Sequence, residues 1–383
     1  MKITGIRTDL VSISGRNLCF VRTYTDEGIV GVGECAACYG AGSRGLAPLV
    51  EELYDIFLQG QDPRRIDWLY TFMRRGSFWG RTPAPLLYSA ISGIEQSLWD
   101  IYGKSVGLPV YMLLGGACRE KIRLYANGWS PGITERTPEA YRDAAARTVA
   151  DGYTALKFDP FILLQHRDPA MPLSLLNRVV ALIEGIREGA GPDVDLCLEI
   201  HGLLDAHAAI RLARAVEGLG FLFYEEPVEP SGAETLAMVA GSTSIPIATG
   251  ERLCGREGFL PYLQQQAVQI IQPDTGICGG IMETKKIAAM AEAYQVAVAP
   301  HNYCGPVNQM VALHLDANLP NFVIQEWRPY EPSWHYELAM EPLPPLAKDG
   351  YMPLPTKPGL GVELNDDLIA KHPYQVHPRR GLA

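Results

Sequence analysis

The stretch LEIHGLLD, Leu198 to Asp205, ends an apolar run with a carboxylate and an imidazole two residues apart. Side chains two apart on a strand point to the same side, so Glu199 and His201 face one space. The pattern recurs along the chain. Seven short apolar runs (YTALKF, VDLCLEI, GFLFYEE, IPIATGE, VQIIQPD, QVAVAPH and NFVIQEW) each carry an ionisable residue at the C-terminal edge: Lys157, Glu199, Glu225, Glu251, Asp274, His301 and Glu326. From Glu199 onward they follow one another at intervals of 23 to 27 residues. A single carboxylate after a strand is ordinarily a helix N-cap, and Asp205 reads that way. Glu199, Glu225 and Glu251 together read differently, because three carboxylates converging in a partly buried space repel one another strongly unless a cation joins them. An all-oxygen ligand set selects a hard ion, Mg²⁺ first and Mn²⁺ second.

These residues converge only if the segments that carry them close into one structure. After residue 120, apolar runs alternate with amphipathic helical stretches such as DAHAAIRLARAVEGL and GGIMETKKIAAMAEAY, which implies βα units and a parallel sheet with right-handed crossovers. A closed barrel brings every strand end to one mouth, where barrel active sites lie. An open doubly wound sheet would spread them along an edge, and the pattern has no break in strand order. Residues 1–120 have another rhythm: strand-like runs come first, with MKITGIRTDLVSI as an edge strand. A helix follows over PAPLLYSAISGIEQSLWDIYGKSVG, with Gly103 and Gly107 closing it. This half reads as a small α+β domain.

The 383 residues exceed the about 250–300 at which single cores stop growing, in agreement with two parts. With 47% hydrophobic residues, 20% charged residues and a net charge of −10, the chain is that of a globular protein without a broad nucleic-acid surface. No apolar run approaches the ~20 residues of a membrane span, and no signal peptide opens the chain, so the cytoplasm is expected. Eight cysteines in this length are not a disulfide scaffold; Cys19, Cys197 and Cys278 sit in apolar surroundings. Cys35 and Cys38 have CxxC spacing, but no second ligand pair follows.

The segments SGIEQSLWDIYGK, FYEEPVEP, IATGER, IIQPDTGICGG and VAVAPHNYCGP, in this order and spacing, resemble the enolase superfamily in its mandelate racemase-like branch. The resemblance spans nearly the whole chain. It implies a modified TIM barrel, (β/α)7β, over residues 121–335, an N-terminal α+β capping domain over 1–120, and a C-terminal segment, 336–383, that returns to the cap. It also implies Mg²⁺ on Glu199, Glu225 and Glu251, with Glu226 turned into the wall, and removal of a proton α to a carboxylate. That proton is very weakly acidic, and a divalent cation offsets the enediolate charge directly. His301 and Asp274 end adjacent strands and are expected to form a base dyad, with Asp274 orienting His301. Glu326 is expected at the far side of the enediolate. Lys157 would add positive charge at the substrate carboxylate or act as a second base.

Departures from the branch narrow the reaction. Racemases carry Lys-x-Lys on the second strand; KFDPF has Lys157 but Asp159 in the second place, which weakens two-base exchange. Cycloisomerases and dipeptide epimerases place a lysine where Asp274 stands. His201 matches a histidine that acid-sugar dehydratases like galactonate dehydratase carry beside the first metal ligand, where it protonates the departing β-hydroxyl. The expectation is therefore dehydration of an aldonate or aldarate to a 2-keto-3-deoxy acid, with a 2-hydroxy-acid racemase or epimerase as runner-up and a non-enzymatic scaffold with a structural cation as outsider. Glu199 stands where the branch usually has Asp. Asp159 is expected to bind a substrate hydroxyl or pair with Lys157, and Asn127, Asn302, Tyr303 and Trp327 either line the pocket or pack. The loop 35–45, CAACYGAGSRG, reads as a lid between strands, and GICGG as a turn opening a helix. The expected partner is a small acid sugar, with homo-oligomers common for this architecture.

Overall fold

The computed structural model describes residues 1–166, 168, 170–339 and 349–377. Strands β1 (Ile3–Ile13), β2 (Arg16–Thr25) and β3 (Val30–Cys35) form an antiparallel meander with β1 at one edge. Ser14 and Gly15, both at positive φ, make the two-residue β1–β2 turn, since that geometry matches strand twist. Helices α1 (Leu46–Leu53), α2 (Ile66–Gly76) and α3 (Pro85–Val106) complete this part. Helix α3 lies directly on β3 because glycines permit it. A Cβ on Gly31 would come 2.1 Å from Ser97 O, and one on Gly33 2.0 Å from Gly93 O.

Helix α3 does not end at Gly103; it runs to Val106 and stops at left-handed Gly107. Gly103 is a packing glycine, where a Cβ would meet Gly359 Cα at 2.5 Å. The helix is buried on nearly all sides, and its polar residues are spent on contacts between the parts. Asp100 accepts from Val32 N and Leu360 N, Gln96 accepts from Glu34 N and donates to Thr275 O, and Glu95 accepts from Ile281 N and Met282 N.

After the short helix α4 (Val110–Leu113), eight parallel strands follow: β4 (Lys121–Ala126), β5 (Ala155–Phe158), β6 (Asp195–Glu199), β7 (Phe221–Glu225), β8 (Ile247–Thr249), β9 (Ile270–Ile271), β10 (Ala297–Val298) and β11 (Gln325–Trp327). They pair in the order β10-β9-β8-β7-β6-β5-β4-β11, and a parallel bridge from Val298 to Phe322 joins the two ends. Between them run α5 (Pro138–Ala150), α6 (Pro160–Leu163), α7 (Leu173–Ala190), α8 (Ala206–Val216), α9 (Ala233–Ala240), α10 (Gly255–Gln264), α11 (Ile281–Ala293) and α12 (Pro306–Asn318). This is the modified TIM barrel with its α+β cap.

One apolar side chain from each strand segment fills the barrel interior: Tyr125, Ala155, Cys197, Phe223, Ala248, Ile270, Ala299 and Ile324. Two residues further on, and hence on the same face, stand Asn127, Lys157, Glu199, Glu225, Gly250, Gln272, His301 and Glu326. The packed layer is the floor of the site.

Of the C-terminal segment 336–383, residues 340–348 and 378–383 lie outside the described residues. The remainder first adds β12 (Tyr351–Pro353) antiparallel to β4, a strand not expected from the pattern of residues. It then reaches the cap, where Pro373 bridges Val11 and Asp366 pairs with Arg22. Among the described residues no helix is long and apolar enough to cross a membrane.

Candidate active site

Glu199 and Glu225 end β6 and β7. Glu251 stands two residues past β8, because Gly250 at φ 149° turns the chain at the mouth. Ligand oxygens of the three glutamates lie within 4.8 Å of one another, a cluster able to hold a metal ion. The longer Glu199 side chain folds back on its own backbone: Oε1 accepts from Ile200 N (2.8 Å) and His201 N (2.6 Å). The turn is made by His201 and Gly202, both in the left-handed region. Glu199 Oε2 is buried and accepts no hydrogen bond, a costly state that a cation would relieve. Burial and the neighbouring Glu225 raise the Glu199 carboxyl well above its ordinary range. For Glu225 burial pulls upward but Lys157, the Glu199 carboxyl and His301 together outweigh it, and for Glu251 burial is outweighed by His301 and His201 with Lys157, so both end lowered. The donor set fits a divalent cation.

Lys157 lines the cavity amid carboxylates. Its Nζ lies 3.0 Å from Glu225 Oε2, 3.4 Å from Glu326 Oε1 and 3.5 Å from Glu199 Oε2. Burial opposes its charge, but these carboxylates prevail and carry its pKa well above the ordinary lysine value, the wrong direction for a second base. Asp159 does not pair with it. Asp159 Oδ1 caps α6 through Phe161 N and Ile162 N, and Oδ2 lies 2.7 Å from His201 Nδ1.

The expected base dyad is present: His301 Nδ1 lies 2.7 Å from Asp274 Oδ2. A carboxylate only accepts, so Nδ1 carries a proton toward Asp274, and in the metal-free protein Nε2, 3.1 Å from Glu251 Oε2 at the cavity, carries one as well. Burial lowers the imidazole pKa, but Glu326, Glu251 and Asp274 together raise it to about 10. Asp274 is itself fixed by Gly276 N and Asn308 Nδ2 on Oδ1. Glu326 accepts from Asn127 Nδ2 (2.5 Å) and Asn302 N (2.8 Å).

A cavity of about 640 Å³ opens over these groups, lined by Lys157, Asp159, Glu199, His201, Glu251 and His301 together with Asn127 and Tyr303. Asn302 does not line it; its buried Oδ1 instead accepts from Cys304 N and braces the loop after the base. Trp327 is also core, stacked on Tyr336. The loop 35–45 does reach the cavity through Ala36 to Tyr39, but it joins β3 to a helix rather than to a strand. Glu226 turns into the wall and pairs with Arg252. Asp205 caps α8, and GICGG opens α11 on Glu95 rather than on a phosphate.

Among the cavity residues that sequence reasoning missed are Trp129 and Arg252. Trp129 donates its indole N–H to Lys157 O, and Arg252 reaches the rim beside Glu251. The signal for Arg252 was its place directly after a ligand in IATGER; Trp129 follows a strand by three residues and carried none.

A barrel whose mouth holds a carboxylate cluster and two imidazole–carboxylate pairs under a separate α+β cap defines a class of metal-assisted barrel enzymes. Comparison gives the family. Residues 2–115 match the mandelate racemase / muconate lactonizing enzyme N-terminal domain and residues 140–368 the enolase C-terminal domain-like family. The chain belongs to the mandelate racemase-like branch of the enolase superfamily. It is 38% identical over 380 residues to a D-galactonate dehydratase from Pectobacterium atrosepticum, covering 96% of this chain and 94% of the relative. It is 34% identical over 376 residues to a D-xylonate dehydratase from Haloferax volcanii, covering 97% and 89%. A solved enolase-superfamily structure from Salmonella Typhimurium superposes with a TM-score of 0.92 at 36% identity, covering 97% and 98%. The chain is an enzyme of the hydro-lyase class that such dehydratases form.

Proposed function

We propose that this enzyme is a Mg²⁺-dependent dehydratase of an acid sugar, an aldonate or aldarate, that converts it to a 2-keto-3-deoxy acid. The carrying observation is the placement of two histidine–aspartate pairs on one cavity wall system. His301 follows β10 and His201 follows β6, four strands apart in a ring of eight, so they address a bound substrate from opposite sides. Mg²⁺ on Glu199, Glu225 and Glu251 would supply the charge that offsets an enediolate.

His301 Nε2 takes the C2 proton, and Asp274 holds the ring in the tautomer that allows it. His201 gives a proton to the C3 hydroxyl, which leaves as water, and the resulting enol ketonises. Glu326, held by Asn127 and Asn302, faces the enediolate beside Lys157, whose charge balances the carboxylate-rich floor. In this reading residues 121–335 are the catalytic unit and the cap closes the cavity. The epimerase reading is weaker because Lys157 is locked in ion pairs and Asp159 is engaged with His201. Incubating the enzyme with a stereochemically complete panel of sugar acids in D₂O with Mg²⁺ tests the reading. Keto-acid formation is expected; deuterium at C2 with inverted configuration and no keto acid would replace it with epimerisation.

A further inference from the structure

Cys38 and Cys304 come from distant parts of the chain and meet in the cavity wall. Cys38 lies in the loop between β3 and α1, and Cys304 in the loop between His301 and α12. Their sulfurs are 3.9 Å apart, both residues are buried from bulk solvent, and both line the cavity. The approach is reinforced on both sides: Cys304 Sγ lies 3.6 Å from Ala36 O, and the Tyr39 and Tyr303 rings pack as a tilted pair with centroids 5.0 Å apart. The CxxC motif does not act as a unit, for Cys35 faces Cys19 across the β2–β3 ladder.

We propose that Cys38 and Cys304 form an oxidisable dithiol, a modification site that covalently ties the capping domain to the barrel at the active-site wall. Sulfurs at this distance need about 2 Å of approach to reach a disulfide of about 2.05 Å. Arg16 and Arg328 both interact electrostatically with Cys38, and of these two buried guanidiniums only one charge is matched by Glu331. The cavity admits a small hydroperoxide to sulfurs that bulk solvent does not reach.

With hydrogen peroxide as oxidant, the Cys38 thiolate attacks one peroxide oxygen. The O–O bond breaks, and a sulfenic acid and one water form. The Cys304 sulfur then attacks the Cys38 sulfur and the S–O bond breaks; the Cys304 thiol proton goes to the departing hydroxide, which leaves as a second water, as the Cys38 thiol proton supplied the first. Two electrons pass from the thiol pair to the peroxide. The bond joins the β3–α1 loop to the loop that follows the base, so it fixes the cavity wall and displaces groups near His301.

The test treats the full chain with hydrogen peroxide, blocks remaining thiols and maps peptides by mass, a readout that does not depend on which reaction the enzyme catalyses. The expected result is a peptide linking Cys38 to Cys304 that disappears on treatment with dithiothreitol. Cys304→Ser should stop at a Cys38 sulfenic acid that dimedone traps. Oxidation confined to exposed Cys118, a Cys19–Cys35 link, or no dimedone adduct in Cys304→Ser would each overturn the proposal. Where a substrate is in hand, the cross-linked enzyme is expected to lose about tenfold or more in turnover, restored by the reductant. Cys38→Ser should keep its own untreated rate after oxidant.

Discussion

Two imidazole–carboxylate pairs face the same cavity with the same 2.7 Å contact, but they are held in different ways. His301 is largely buried, whereas about half of the His201 side chain is exposed. The His301 side is braced from the capping domain: Glu34 accepts from Gly305 N and Asn308 N at the start of α12, and Glu95 does the same for α11. Asn308 in turn donates to Asp274, so the cap reaches the base through one intermediate residue. On the His201 side the supports are local, with Asp159 capping α6 and Asp205 capping α8. The buried, remotely braced pair suits a base that must remove a reluctant proton; the exposed, locally braced pair suits an acid that must reload from solvent.

This contrast can be broken in stages. The largest effect is expected for His301→Asn, which should abolish both C2 proton exchange and dehydration, a fall of about ten-thousandfold. His201→Asn should stop water loss while exchange in D₂O persists, read by NMR of recovered substrate; equal loss of both would make the two pairs equivalent.

Asp274→Asn comes next, because an amide in place of the carboxylate favours the wrong tautomer of His301, with a fall of about a thousandfold in exchange. Asp159→Asn should cost about tenfold to a hundredfold in dehydration, since an amide oxygen can still cap α6. A reversal of that order in steady-state rates would mean the base lies on the other side.

The pairs should also separate by titration. In metal-free enzyme His301 should hold its proton up to about pH 10, followed by the imidazole resonances. Mg²⁺ should move that titration to lower pH, because charge withdrawn from Glu251 removes one of the interactions that raise it. An unchanged midpoint would detach Glu251 from the metal. The smallest effect is Glu34→Gln, which weakens a charge-assisted helix cap by about 1–2 kcal/mol in urea unfolding and slows exchange slightly, with His201-dependent water loss unaffected.

How much of this was legible follows from the range of each interaction. Asp205 as an N-cap and the glycines before α11 were readable, because each depends on residues within a turn or two; Glu199 and His201 do meet one cavity, but through a left-handed turn past the end of β6 rather than through strand alternation. The convergence of seven strand ends was readable too, since regular βα spacing constrains the barrel. Asp159 was expected to bind a substrate hydroxyl or to pair with Lys157, the nearest cation in sequence, and it does not pair with Lys157. The barrel instead puts the β6 turn beside the β5 end, and His201 at left-handed φ swings onto Asp159. Asn302 and Trp327 likewise follow functional residues in sequence, but packing turns them away from the cavity.

The sequence by itself determined which side chains stand at the mouth, because the end of each apolar run is a local property of the chain, whereas turns beyond β6, β8 and β9 place His201, Glu251 and Asp274. Closure of the sheet and docking of the cap decided the pairings: Lys157 enclosed by Glu225, Glu199 and Glu326, Asp159 on His201, and Glu34 reaching Asp274 through Asn308. Those contacts join groups whose separation in the chain bears no relation to their separation in space, and only the folded geometry sets the distances on which their electrostatics depend.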